Sequence, residues 1–342
     1  MLRWWLVQKL PSRMFARRRY GTYGSSYPSG DNFGLPPVRV LGPTIWCTTA
    51  IGATYLGCAA YEVYNDAQEV KRGRARSGWM ASSSSSPMTF EQLEADRALS
   101  HVRESYWSGR DRHPSRGGVM DGWRPAWLTE SSGVVRAAIL ANAGIYAVNN
   151  LVPSTWLYFA HIAAEGRNYT LFTSMFGHAG LLHLGFNMYA LTQFAPHVQQ
   201  SRIFQGSNSH FGAFYLGSGL AASLGHHLST VWPNRLGRLS AGLGASGAIM
   251  AILAAFAMSE PDAQIGLMFV PGSLPAEQAL LGLTLFELYG LFVGIRWLPL
   301  GHAAHLTGLA VGAAYVHFDG RKRLWVPTRR LAFYSLRRFK MV

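Results

Sequence analysis

The chain is short of charge, of acidic residues and of cysteine, and each scarcity excludes something. Of its 342 residues only 14% are charged while 49% are hydrophobic, where a soluble domain carries about 25% charged residues. That ratio argues against an ordinary water-soluble enzyme. The two cysteines, Cys47 and Cys58, stand in one apolar run, about three turns apart on a single helix, and cannot bridge each other. A disulfide scaffold and a multi-cysteine metal site are excluded; both residues read as small apolar groups at a helix contact.

Acidic residues number 17 against 31 lysines and arginines, for a net charge of +14. The excess lies at the two ends: Arg3, Lys9, Arg13, Arg17, Arg18 and Arg19 at the start, and Arg321, Lys322, Arg323, Arg329, Arg330, Arg337, Arg338 and Lys340 at the close. A nucleic-acid binder would stripe such residues over a folded, water-facing surface. Here they flank long uncharged stretches, so no nucleic-acid partner is expected. No carboxylate precedes Asp31. An acid-free, arginine-rich start whose apolar runs are all interrupted by charge has the composition of a mitochondrial presequence rather than of a secretory signal. The alternative is a basic arm on an anionic membrane surface.

The apolar runs organise the rest. Val40 to Tyr61 carries no charge and, at 1.5 Å per residue, can cross a hydrocarbon core of about 30 Å. Residues Asp66 to Ser132 are mixed in charge and rich in Ser, Gly, Pro and Arg, a solvated connector with one short helix near Phe90 to Val102. Six further runs follow: Val135–Leu151, His178–Phe194, Phe211–Val231, Leu239–Met258, Ala279–Ile295 and Leu298–Phe318. Each is rich in small residues, which let helix backbones approach closely in lipid. The expectation is an all-α polytopic membrane protein with a six-helix core and one additional N-terminal transmembrane helix. Its expected segments are a presequence over 1–37, the extra helix over 38–64, a hydrophilic connector over 65–133, the core over 134–318 and a basic tail over 319–342.

Polar side chains inside hydrocarbon are functional candidates because no water satisfies them. Ser246 sits among Gly242, Gly244 and Gly247, and each glycine costs roughly 1 kcal/mol in a helix interior relative to alanine. Either the glycines serve packing alone, or Ser246 begins a helix after an irregular lead-in, with an accessible hydroxyl and a backbone N–H that could hold an oxyanion. His305 is the base such a hydroxyl needs. It adjoins a stripe of small residues, Ala304, Gly308 and Gly312, matched by Gly247, Ala248 and Ala251 on the serine's run. His183 and Asn187, four apart, share one helix face and can both donate to an oxyanion. His178 lies about 140° away around an ideal helix, suited to fixing the helix start. A metal on His178 and His183 has poor ligand spacing and no Cys or acidic partner, so neither metal nor cofactor is expected. Glu287 reads as a hydrogen-bonding group toward a neighbouring helix or as a part of substrate gating or proton supply. His302, His226 and His227 read as groups at the membrane surface.

The ordered set HAGLLHLGFN over 178–187, GASG over 244–247 and AHLTGLAVG over 304–312 resembles the rhomboid intramembrane serine proteases, over roughly residues 134 to 318. The resemblance implies Ser246 as nucleophile and His305 as general base and acid. It also implies an oxyanion held by the Ser246 N–H with His183 and Asn187, and supporting places for His178, Gly244 and Gly247. The extra helix and presequence resemble the mitochondrial inner-membrane branch, whose substrates are single-spanning membrane proteins such as a dynamin-like GTPase or cytochrome c peroxidase. The implied partners are therefore such substrates and the lipid bilayer. Two departures stand out: between Asn149 and Thr173 there is no Trp-Arg pair, and Met250 occupies the place of a tyrosine four residues after the serine. A rhomboid-like pseudoenzyme that binds membrane clients, and a histidine-based proton or metal transporter, are the rival readings.

Overall fold

The computed structural model describes residues 37–76, 88–99, 132–232, 240–266, 272–294 and 301–342. Residues 1–36 of the expected presequence and most of the connector lie outside the described residues. The main helices are α1 (Leu41–Arg76), α2 (residues 90–99), α3 (Gly133–Leu151), α4 (Leu181–Gln200), α5 (Asn208–Ser229), α6 (Ser246–Ser259), α7 (Ala276–Phe292), α8 (His302–His317) and α9 (Val326–Arg338).

Local chemistry sets several of these boundaries. Ser132 and Ser207 precede α3 and α5 and accept hydrogen bonds from Val135 N and His210 N, each satisfying one of the orphan donors of a helix start. α6 begins at Ser246, later than the apolar run from Leu239 suggests, because Ala241–Gly242 instead forms a short strand, β2, antiparallel to β1 (His161–Ile162). A second pair joins β3 (Gln264–Ile265) to β4 (Leu274–Pro275).

α8 packs on α6 and α5, α4 also contacts α6, and α7 leans on α8. α1 packs against α5, where Cys47 Sγ donates to Leu220 O at 3.3 Å, the helix contact expected for a small residue. Phe204, His210, Phe214, Tyr315 and Trp325 form a continuous aromatic cluster where α5 and α8 meet the segment before α9.

Both ends depart from expectation. α1 does not stop near residue 64 but runs to Arg76, and the tail folds as α9 against it. The reason is a buried ion cluster. Arg329 bonds Glu62 at 2.6 Å, Asp66 at 2.8 Å and Glu94 at 2.9 Å, while Arg97 bonds Glu62 at 2.7 Å and Asp66 at 2.8 Å. Arg329 is fully buried, so its charge belongs to the fold.

Among the described residues no helix is long and apolar enough to cross a membrane. α6, α7 and α8 have 14, 17 and 16 residues, and the longer helices are diluted by Gly, Ser, Thr, Asn and His. The expected runs are present as helices without meeting that measure.

Candidate active site

Three helices converge on Ser246. Its hydroxyl lies 2.7 Å from His305 Nε2, linking the first residue of α6 to the first turn of α8. The contact is possible because the two helices nearly touch. A Cβ on Gly308 would fall well inside contact distance of Gly247 O, and one on Gly312 well inside that of Ala251 O. The expected small-residue stripe is therefore the seam of the site. Gly247 also allows close approach to Ala222 on α5.

Gly244 is required twice over. Its φ of +120° is a conformation L side chains rarely adopt, and a Cβ there would lie 2.8 Å from Cε1 and 2.9 Å from Nε2 of His183. The same point is 3.8 Å from Ser246 Oγ, so the His183 ring edge faces the serine across the bare glycine. His183 Nδ1 accepts from Ala179 N at 3.5 Å, which leaves the Nε2 side as the donor on the serine's flank. Asn187 is buried and donates one amide hydrogen to His183 O at 2.9 Å; a second hydrogen remains on that nitrogen. His178 precedes α4 rather than riding on it, with its ring 5.0 Å from that of His183. Gly244 N donates to Ser174 O at 2.9 Å, and the β1–β2 pairing fixes the strand that leads to the nucleophile. As the first residue of α6, Ser246 offers one of the N–H groups that have no intrahelical partner. Met250 lies at the α6–α8 seam, where its Cβ is among the closest neighbours of Gly308.

The surprise is α7. Glu287, 1% exposed, reaches His305 Nδ1 with Oε1 at 2.8 Å and His302 Nδ1 with Oε2 at 2.6 Å. His302 is thus buried beside the site and not at a surface. The sequence holds one signal for this: Glu287 is the single carboxylate of its apolar run, and an unpaired buried carboxylate is too costly to persist.

Residues 165–322 match the family model described as "Rhomboid domain". The chain carries a rhomboid domain. It includes α4 to α8 and every residue of the convergent site just described. Among curated proteins the chain is similar to zebrafish (Danio rerio) presenilin-associated rhomboid-like protein A, mitochondrial, 32% identical over 194 residues, covering 53% of this chain and 48% of that protein. The human presenilin-associated rhomboid-like protein, mitochondrial, is 30% identical over 194 residues, with 53% and 48% covered. Rhomboid protein 1, mitochondrial, of Saccharomyces cerevisiae is 29% identical over 195 residues, with 55% and 53% covered. The chain spans about half the length of these relatives.

His226 and His227 belong to the wall of the rhomboid domain rather than to a water-facing helix end. His227 is fully buried, and a Cβ on Gly242 would lie 2.7 Å from His226 Nε2. His161 Nδ1 lies 2.8 Å from Thr170 Oγ1 and its Nε2 lies 2.9 Å from His227 Nδ1, while His227 Nε2 lies 2.7 Å from Arg39 O. Arg39 O can only accept, so with both rings neutral His227 donates to it from Nε2 and His161 donates from Nε2 to His227 Nδ1. The single Thr170 hydroxyl hydrogen is shared between His161 Nδ1 and Arg167 O, which lies 2.6 Å from the hydroxyl oxygen. Burial first, then the charges of His227 and His226, pushes His161 from its ordinary value down to about 3. The unfolded chain takes up that proton near pH 6.5 and the folded one does not until near pH 3, so stability should fall as pH drops through this window. Melting temperatures at pH 7.5 and pH 5 check this, and the fall should be smaller in His161→Asn.

Proposed function

We propose that the chain is an intramembrane serine endopeptidase, a multi-pass protein of the mitochondrial inner membrane that cuts single-spanning membrane proteins within or next to their transmembrane segment. The observation that carries this reading is the 2.7 Å contact between Ser246 Oγ and His305 Nε2. The mitochondrial setting follows the names of the similar proteins and the acid-free, basic N-terminal composition.

Membrane embedding is supported by the distribution of polarity. Leu140, Leu181, Leu182, Phe186, Leu281, Leu285 and Phe292 are exposed on α3, α4 and α7, while Asn187 on α4, Glu287 on α7 and His302 and His305 on α8 are buried. A water-soluble protein has the opposite arrangement.

The chemistry proceeds in two halves. Ser246 Oγ attacks the scissile carbonyl as His305 Nε2 takes the hydroxyl proton, and the negative oxygen is held by the Ser246 N–H together with His183 and Asn187. His305 then gives the proton to the departing amine, leaving an acyl-serine. Water, deprotonated by His305, attacks that ester, and the proton returns to Ser246 as the acid leaves. A helical substrate has its carbonyls hydrogen-bonded and covered, so segments with Gly, Ala or Ser near the scissile bond, which weaken the helix, are preferred.

The test is reconstitution of the full chain in liposomes with a single-spanning substrate carrying such a segment, its products followed by mass spectrometry. Ser246→Ala and His305→Ala should each lower cleavage by more than about 100-fold and prevent labelling by a fluorophosphonate. Undiminished cleavage in either variant refutes the assignment. Binding of the segment by a wild-type chain that neither cleaves nor labels would make the protein a client-binding pseudoenzyme instead.

A further inference from the structure

We propose that Glu287 is a positioning residue of the site: delivered by α7, its carboxylate holds His305 in the tautomer that can accept the serine proton, and His302 holds the carboxylate. This deepens the proteolytic reading above and rests on it.

A neutral imidazole carries one N–H, and only the tautomer with hydrogen on Nδ1 leaves Nε2 able to accept from Ser246. Glu287 Oε1, at 2.8 Å, selects that tautomer because a carboxylate can only accept. The other oxygen takes the Nδ1–H of His302 at 2.6 Å. Both oxygens are therefore claimed, one by each ring, and the carboxylate has no other orientation that satisfies both. When His305 becomes an imidazolium during acyl transfer, its new charge faces this buried carboxylate directly, where the low dielectric strengthens the attraction. The arrangement converts a serine-histidine pair into a serine-histidine-glutamate line reaching across α6, α8 and α7.

α7 is built around this contact. The helix buries only Ala276, Glu287 and Gly290. Gly290 lies one turn beyond Glu287, and a Cβ there would overlap the His302 ring. The bare glycine lets the helix settle onto His302 and brings the carboxylate within reach of both rings. The seating of α7 and the tautomer of the general base are consequently coupled.

Glutamine is the informative replacement. It keeps shape but offers one acceptor and one donor to two rings that both donate, so one imidazole must turn or change tautomer. In reconstituted full-length protein, Glu287→Gln should lower kcat by about 100-fold or more with KM changed less than about threefold. Glu287→Asp keeps the charge on a shorter stem and should recover at least tenfold of that loss. A purely structural glutamate would show the reverse: aspartate as damaging as glutamine, or loss tracking melting temperature. Unchanged kcat in Glu287→Gln overturns the proposal. Nitrogen-15 NMR of histidine-labelled wild-type protein, with His305 assigned by its absence in His305→Ala, tests the tautomer without any substitution at 287. A protonated Nδ1 is expected, and hydrogen on Nε2 overturns the proposal even if the glutamine variant does not fold. If the wild-type chain cleaves nothing, the proteolytic reading fails while the NMR result still decides the tautomer.

Discussion

Gly308→Ala is expected to reduce the rate of substrate cleavage, and of fluorophosphonate labelling at Ser246, by about 100-fold. A single methyl does this because of where it must go: the Cβ would fall inside contact distance of Gly247 O and within 3.2 Å of Met250 Cβ. Backbone on the opposing helix cannot rotate aside as a side chain can, so α8 must retreat from α6. His305 is one turn before Gly308 and moves with it. The dyad contact, now 2.7 Å, lengthens, and a displacement of about 1 Å is enough to cost roughly 100-fold in rate. Overpacking should also lower stability by about 1–3 kcal/mol. Gly282→Ala on α7 is the matched control. Nothing lies within 4 Å of a Cβ placed there, so the same exchange should leave activity unaltered and stabilise the helix by up to about 1 kcal/mol. Equal activity in the two variants, measured as kcat/KM and labelling rate, would show that the helix seam does not set the dyad.

That seam is the part of the site most legible in the sequence. Repetition of small residues every four positions and the glycines around Ser246 are local patterns, and local patterns survive as helix faces. They offer a helix start at Ser246 as one of two readings and set a matching small-residue stripe beside His305, without fixing the contact between them. The carboxylate was not legible in the same way. Glu287 is 18 residues from His305 along the chain, on a separate helix, and no periodicity reveals which neighbour an isolated polar residue meets. His302 and His227 differ from expectation for a related reason: position near the end of an apolar run suggests a surface, whereas burial is decided by what packs over that end, here α7 and the loop carrying His161. Gly242 and the β1–β2 pairing delayed α6 by several residues because a backbone ladder outcompeted an apolar run with helical character.

The tail shows the same limit more sharply, because composition counts charges without placing them. Of the eight basic residues after Gly320, Arg329 alone is fully buried, and its removal is expected to be among the most destabilising single changes outside the site. Glu62 on α1, Asp66 on α1 and Glu94 on α2 present three carboxylates to Arg329 and Arg97. Arg321 lies close enough to feel Glu94 and Glu62 as well, so three cations balance the three carboxylates. Arg329→Met keeps the aliphatic stem but removes the cation that bonds all three carboxylates, leaving them to Arg97 and the more distant Arg321. Breaking a buried pair on one side costs about 3–5 kcal/mol, and screening by salt should relieve little of it because the cluster is shielded from water. The damage should be local at first, since the cluster joins α1, α2 and α9 and not α6 to α8. Limited proteolysis should therefore release α9 from Arg329→Met at protease levels that leave the wild-type chain intact, while fluorophosphonate labelling of Ser246 continues. Adding Glu62→Gln removes the most heavily bonded of the orphaned carboxylates, which also accepts from Ser207, and should restore part of the lost stability. The coupling between the two substitutions, measured in a double-mutant cycle, then decides the point. A strongly favourable interaction means that unpaired charge is the cause; simple additivity means that α9 is held by its apolar contacts, Phe333 against Phe90 foremost, and that the ions merely follow.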